Sequence, residues 1–176
     1  IAIVSGDEHA VLYFDGQGKL LNRTGRDGDG PGEFRAVHLV GRHGDSLLIW
    51  DARLDRATLL DPSGKVARTF GMVRGDTATS PRYGFAPAAV FNDGTLLLAG
   101  RAGATTGDRS GVVRDTTPLA HADAVGKISR RIASVPGNEN FVITTPKYVS
   151  MFERPFGRRT VTTTQGVRTL VGTGDI

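Results

Sequence analysis

Phe14-Asp15-Gly16-Gln17-Gly18-Lys19-Leu20 and Leu60-Asp61-Pro62-Ser63-Gly64-Lys65-Val66 follow one pattern: an apolar residue, Asp, two variable positions, Gly, Lys and a second apolar residue. Asp15 and Asp61 lie 46 residues apart, and a third copy, Ala122-Asp123-Ala124-Val125-Gly126-Lys127-Ile128, has its Asp 62 residues further on. The pattern has a mechanical meaning. Asp accepts a hydrogen bond from the backbone two positions on and Gly supplies a positive φ, so Asp15 and Gly18, Asp61 and Gly64, and Asp123 and Gly126 read as structural turn residues. The apolar runs on either side, such as His9 to Phe14 and Lys19 to Arg23, make the first copy a hairpin.

A fixed period changes the whole fold expectation, so its extent matters. At the 46-residue offset Ile3 falls on Ile49, Gly25 on Gly71, and the run Ile1 to Val4 on Leu47 to Trp50. A second hairpin precedes the motif in each unit, signalled by His43-Gly44-Asp45, Asn92-Asp93-Gly94 and Gln165-Gly166 before apolar runs. The longer spacing before the third copy is assigned to a Gly/Thr-rich loop insertion from Arg101 to Gly111. Units of about four strands and 40–50 residues, with no sustained helical period, are the signature of β-propeller blades. One such sheet cannot bury both faces and must stack on neighbours. The expectation is therefore all-β: residues 1–176 as a partial β-propeller of about four blades of four antiparallel strands. The blades are placed at 1–25 (incomplete), 35–71, 85–134 and 139–176 (incomplete). Both ends read as interrupted strands, so a fragment of a larger ring, completed by remaining blades of the same chain, is expected.

Between the first two units lies Gly25-Arg26-Asp27-Gly28-Asp29-Gly30-Pro31-Gly32-Glu33-Phe34-Arg35. This stretch resembles the Gly-rich inter-blade link of NHL-type propellers, with Gly28, Gly30, Pro31, Gly32, Glu33 and Phe34 as its structural residues. Together with the Asp-x-x-Gly-Lys turn it resembles the bacterial six-bladed propeller family related to NHL repeats. That resemblance implies a six-bladed ring and export to the bacterial cell envelope or periplasm. The second link, Met72 to Gly84, keeps only Arg82-Tyr83-Gly84-Phe85 as an echo, and the third, Ser134 to Phe141, is shorter.

Composition narrows the function classes. With 39% hydrophobic and 23% charged residues the chain is too apolar to be disordered. No apolar run reaches the roughly 20 residues of a membrane-spanning helix. Cysteine is absent, which removes disulfides, thiolate metal sites and a cysteine nucleophile. The 22 basic and 18 acidic residues alternate along the chain instead of forming a stripe, so a nucleic-acid partner is not expected. The basic patches Arg130-Arg131 and Arg154 to Arg159 read as solvated turn residues, with only Phe156 interleaved.

The remaining motifs carry little chemistry. Asp27, Asp29 and Glu33 raise the question of calcium, but Pro31 stands where an EF-hand loop needs a ligand and no Glu stands at its twelfth position. They read as solvated acids of a turn, and neither a metal nor another cofactor is expected. Gly-Lys at 18–19, 64–65 and 126–127 is followed by an aliphatic residue where a phosphate-binding loop needs Ser or Thr. Arg74-Gly75-Asp76 is a chance adhesion tripeptide, and Asn22-Arg23-Thr24 lies in an expected strand. His9, His38, His43 and His121 show no ligand spacing. Arg35 to Val40 reads as an innermost strand lining a central channel, which makes Arg35 and His38 the candidate ligand-binding residues. The expected function is a non-catalytic scaffold binding a protein, glycan or small ligand on a ring face or channel mouth. A metal-dependent hydrolase or lyase of NHL-like type is the alternative, and the third inner strand, Phe85 to Val90, offers it no Glu, Asn or Asp ligand.

Overall fold

The computed structural model describes residues 1–72, 84–100, 110–154, 156–165 and 168–174, with the backbone alone from 160 on. Regular structure among them is entirely β. No described helix is long and apolar enough to cross a membrane. The first sheet holds β1 (Ala2–Ser5), β2 (Ala10–Phe14) and β3 (Leu20–Thr24). The second holds β4 (Val37–His43), β5 (Ser46–Asp51), β6 (Arg56–Leu60) and β7 (Val66–Gly71). The third holds β8 (Phe85–Val90), β9 (Leu96–Gly100), β10 (Gly111–Ala122), β11 (Ile128–Thr144) and β12 (Val149–Glu153). A last hairpin pairs β13 (Arg159–Gln165) with β14 (Arg168–Gly174). Every strand pairs antiparallel with its sequence neighbour, and the described sheets are open.

The repeat survives at the level of single backbone pairs. Ala2 faces Tyr13 and Val4 faces Val11; 46 residues on, Leu48 faces Leu59 and Trp50 faces Ala57. Phe14 pairs with Leu20 after a register shift, and Leu60 pairs with Val66 after the same shift. The left-handed residues repeat too, His9 at φ 51° and Asp55 at φ 53°. In the turns, Asp15 Oδ1 accepts the N–H groups of Gln17 and Lys19, both at 2.9 Å. Asp61 takes those of Ser63 and Lys65, and Asp123 those of Val125 and Lys127. Gly18, Gly64 and Gly126 hold φ of 82°, 81° and 83°, a region that costs other L-residues about 1–2 kcal/mol. Phe91 to Thr95 makes the same backbone turn, with Gly94 at φ 82° and Phe91 where the motif has Asp.

Alternation along each strand sends successive side chains to opposite faces. Leu47 and Ile49 of β5 face the first sheet and pack with Val11, Phe34, Val37 and Leu60. Leu48 and Trp50 face the third sheet and pack with Phe85, Val90, Leu96 and Leu98. The second sheet is therefore covered on both sides, which is why β5 reads as an unbroken apolar run.

Several sequence expectations require correction. Ser134 to Phe141 is not a link: it lies inside β11, where Val135 to Val142 pair with Gly111 to Thr117 of β10. Pro136 has no N–H to give, and the ladder absorbs it at the register shift between Arg114 and Thr116. The boundary between units 85–134 and 139–176 thus falls within one strand, and the third sheet runs on to β12. Gly111 likewise begins β10 instead of ending a loop, and the strand expected from Arg35 begins at Val37. Residues 101–109, most of the second link (73–83), Arg74-Gly75-Asp76, Pro155 and Gly166-Val167 lie outside the described residues.

Candidate functional site

The inter-sheet link is built around one carboxylate. Glu33 accepts the Gly30 N–H at 2.8 Å and the Arg26 Nε–H at 2.8 Å, and its own N–H donates to Gly30 O at 3.1 Å. Phe34 is fully buried against the first two sheets, and its ring leaves no room for a side chain at Gly25. Arg56 on β6 clamps the link from below, donating to the carbonyls of Asp29, Gly30 and Glu33. Gly28 and Gly30 carry no side chain where the Glu33 carboxylate lies, and Gly32, after the exposed Pro31, holds φ 75°.

The acids here are paired, not merely solvated as the sequence suggested. Arg35 donates from Nε to Asp29 at 2.8 Å and from Nη1 to Asp27 at 3.0 Å. The hydrogen bond from Arg35 holds the Asp29 carboxyl below its usual range, and Asp29 in turn holds the guanidinium charged. The Gly30 N–H, then Arg26, lowers Glu33. A lowered folded value means that the contribution of Glu33 is present above its ordinary 4.5 and lost as pH falls through the folded value. The Gly30 amide resonance should accordingly titrate with a midpoint below 4.5 in an NMR series; a midpoint at or above 4.5 contradicts the Glu33–Gly30 bond.

Arg35 and His38 stand in different surroundings. Arg35 is committed to Asp27 and Asp29, whereas His38 is exposed on β4, opposite Trp50 in the ladder, with no hydrogen bond or ion pair among the described residues. The described residues hold no group of three or more His, Asp or Glu placed to bind a metal ion.

A concave site among the described residues lies on the face of the third sheet turned away from the second. It is an open groove of about 410 Å³ floored by Phe91, Leu97, Leu119 and Val135 and rimmed by Asp93, His121 and Arg130. The volume falls within the range usual for binding clefts. The His121 ring stacks on Phe91 with centroids 6.3 Å apart and 26° between planes. Asp93 Oδ1 accepts from the Thr95 hydroxyl at 2.6 Å and the Thr95 N–H at 3.0 Å, and these bonds hold its carboxyl below the ordinary value, with His121 adding to the effect. Arg130 is exposed and has no hydrogen-bond or ion-pair partner among the described residues.

Ser129 Oγ lies 2.7 Å from His121 Nδ1, which on distance alone suits a nucleophile and its base. It also lies 3.1 Å from the His121 carbonyl oxygen, to which it donates. A hydroxyl has one proton, so both bonds form together only when Nδ1 carries the proton and Ser129 accepts it. In that tautomer His121 does not activate Ser129.

No protein-family model and no curated protein matches this sequence. The groove was hidden in the sequence because its residues come from three strands and the turn between β8 and β9. One signal does point to it: Arg130 stands 62 residues after Arg68, the same step that separates Asp61 from Asp123.

Proposed function

We propose that the three stacked sheets are blades of a β-propeller of the six-bladed, NHL-like kind and that the protein is a non-catalytic binding scaffold, with the groove on the third sheet as its binding surface. The supporting observation is the stacking itself. The second sheet is buried on both faces, and the ladder positions that face away from the first sheet there floor the groove in the third: Leu48 corresponds to Leu97 and Ala57 to Leu119. In this reading further units of the same kind flank the outer sheets. A floor of aliphatic and aromatic side chains with three charged groups at the rim suits recognition of a partner surface. The Ser129 hydroxyl donates to the His121 carbonyl oxygen instead of to the imidazole, and the described residues hold no group of three or more His, Asp or Glu for the metal-dependent alternative. Elemental analysis of the purified protein with an esterase and lactonase screen tests this. The scaffold predicts no stoichiometric divalent metal and no turnover; stoichiometric calcium or zinc with turnover abolished by a chelator would overturn it.

A further inference from the structure

Asp is followed directly by Gly at 15–16, 27–28, 29–30 and 93–94. At such a step the backbone can act as a nucleophile: with no Cβ to obstruct it, the glycine nitrogen reaches the preceding side-chain carboxyl and closes a five-membered succinimide. Three of the four steps are guarded. Gly28 N–H donates to Phe34 O at 3.3 Å, Gly30 N–H to Glu33 Oε2 at 2.8 Å and Gly94 N–H to Phe91 O at 2.9 Å. Arg35 also holds the carboxylates of Asp27 and Asp29, and Gly94 sits against the His43 ring and Ala124.

Gly16 differs in each respect. Its N–H has no hydrogen bond among the described residues, it is exposed, and a Cβ there would meet nothing within 4 Å. The turn around it is also the slackest of its kind: Gly18 N–H reaches Asp15 O at 3.3 Å, against 2.9 Å from Gly64 to Asp61 and 3.1 Å from Gly126 to Asp123. The exposure of Gly16 does not depend on what packs against the first sheet. Pro62, at the same place in the Asp61 turn, is exposed although that turn is seated on a neighbouring sheet. The Asp15 carboxyl, meanwhile, is set for attack. Oδ1 accepts the N–H groups of Gln17 and Lys19, both at 2.9 Å, which hold the carboxyl toward the chain that follows, where Gly16 N lies. Two fixed donors at this distance also stabilise the negative charge that builds on Oδ1 as a nucleophile adds to Cγ.

We propose that Asp15–Gly16 is a self-modification site at which the folded chain converts Asp15 to isoaspartate. Gly16 N attacks Cγ of the protonated carboxyl. The N–Cγ bond forms, the Cγ–Oδ2 bond breaks, and Oδ2 leaves as water with its own proton and the Gly16 amide proton. Water then adds to the main-chain carbonyl carbon of residue 15 in the succinimide, and the bond from that carbon to Gly16 N breaks. The backbone now runs through Cγ, one carbon longer, and the former main-chain carbonyl is a free carboxylate. Water is the only co-reactant and the mass is unchanged. Gln17 and Lys19 lose the acceptor that shapes the turn, so the β2–β3 hairpin loosens as the protein ages.

The test incubates the folded 176-residue chain, and the same chain in guanidinium chloride, in mildly acidic buffer at physiological temperature. Trypsin then places Asp15, the Asp27/Asp29 pair and Asp93 in three separate peptides, and electron-transfer fragmentation locates isoaspartate in each. In denaturant the four steps are expected to convert at similar rates. In the folded chain Asp15 is expected to outpace each of the others by about fivefold or more, because the hydrogen bond on each of the other glycine nitrogens has to open first. Gly16→Pro, which copies Asp61-Pro62 and removes the nucleophilic N–H, is expected to abolish conversion at Asp15 alone. Conversion at Asp27, Asp29 or Asp93 that equals or exceeds Asp15 in the folded chain overturns the proposal. So does a folded chain that forms no isoaspartate at residue 15 while the denatured chain does. None of these results bears on the scaffold reading, which stands on the metal and turnover measurements.

Discussion

Replacing Asp51 by Ala is expected to lower the unfolding free energy by about 3–4 kcal/mol, because it removes the acceptor for several backbone donors at once. The residue is 1% exposed at the end of β5. Its Oδ2 accepts the Arg35 N–H at 2.6 Å, and its Oδ1 accepts those of Ala36, Arg53 and Leu54 at 3.3, 3.0 and 2.9 Å. One carboxylate thereby ties the entry to β4 to the β5–β6 turn. Ala leaves these N–H groups without their acceptor, and a buried donor left unpaired costs more than its bond contributed. Ser5, at the same place in the first sheet, takes only the Glu8 N–H at 3.3 Å, so Ser5→Ala should cost much less. Burial raises the Asp51 carboxyl, but the N–H groups of Arg35, Leu54, Ala36 and Arg53 together outweigh it and leave the group below its ordinary value. Its contribution is therefore present above about pH 3.9 and lost as pH falls through the folded value. Urea midpoints at neutral and acid pH check both parts: the gap between wild type and Asp51→Ala should narrow as the solution is acidified.

The turns and hairpins were legible in the sequence because the Asp and Gly at each corner act locally, through bonds spanning two to four residues. Stacking was legible at β5, where Ser46-Leu47-Leu48-Ile49-Trp50 has no polar face to turn to water. The boundary inside β11 was not legible. Ser134-Val135-Pro136-Gly137-Asn138 has loop composition, and only the cross-strand partner supplied by Gly111 to Thr117, far away in sequence, makes it a strand. Local propensity yields to ladder pairing there.

The candidate site was less legible for the same reason. Arg35 and His38 stood out as a cation and an imidazole near an expected channel, but Arg35 is consumed by Asp27 and Asp29, which single-residue reasoning treated as solvated. Asp51 was passed over because nothing marks one Asp among many as buried. Arg130 was read as part of a solvated pair, although its place in the 62-residue step set it beside Arg68.

The Asp61 and Asp123 turns are seated against the preceding sheet whereas the Asp15 turn is not, and the three motif glycines isolate the difference. Gly18, Gly64 and Gly126 share φ of 81–83°, so Ala at any of them carries the same backbone penalty of about 1–2 kcal/mol. Their surroundings differ. A Cβ at Gly64 would lie 2.7 Å from Asn22 Nδ2, 2.8 Å from Thr24 Oγ1 and 2.9 Å from Tyr13 Cε2, all in the first sheet. At Gly126 it would lie 2.8 Å from Gly71 O and 3.1 Å from the Phe70 ring. Relieving such overlap costs a further 1–3 kcal/mol, roughly, and parts the sheets. The decisive measurement is urea unfolding of Gly18→Ala, Gly64→Ala and Gly126→Ala side by side in dilute protein, followed through Trp50, which is the single tryptophan and is buried between the second and third sheets. Stacking predicts that Gly18→Ala loses only the backbone penalty while the other two lose clearly more; equal losses at all three positions would contradict it.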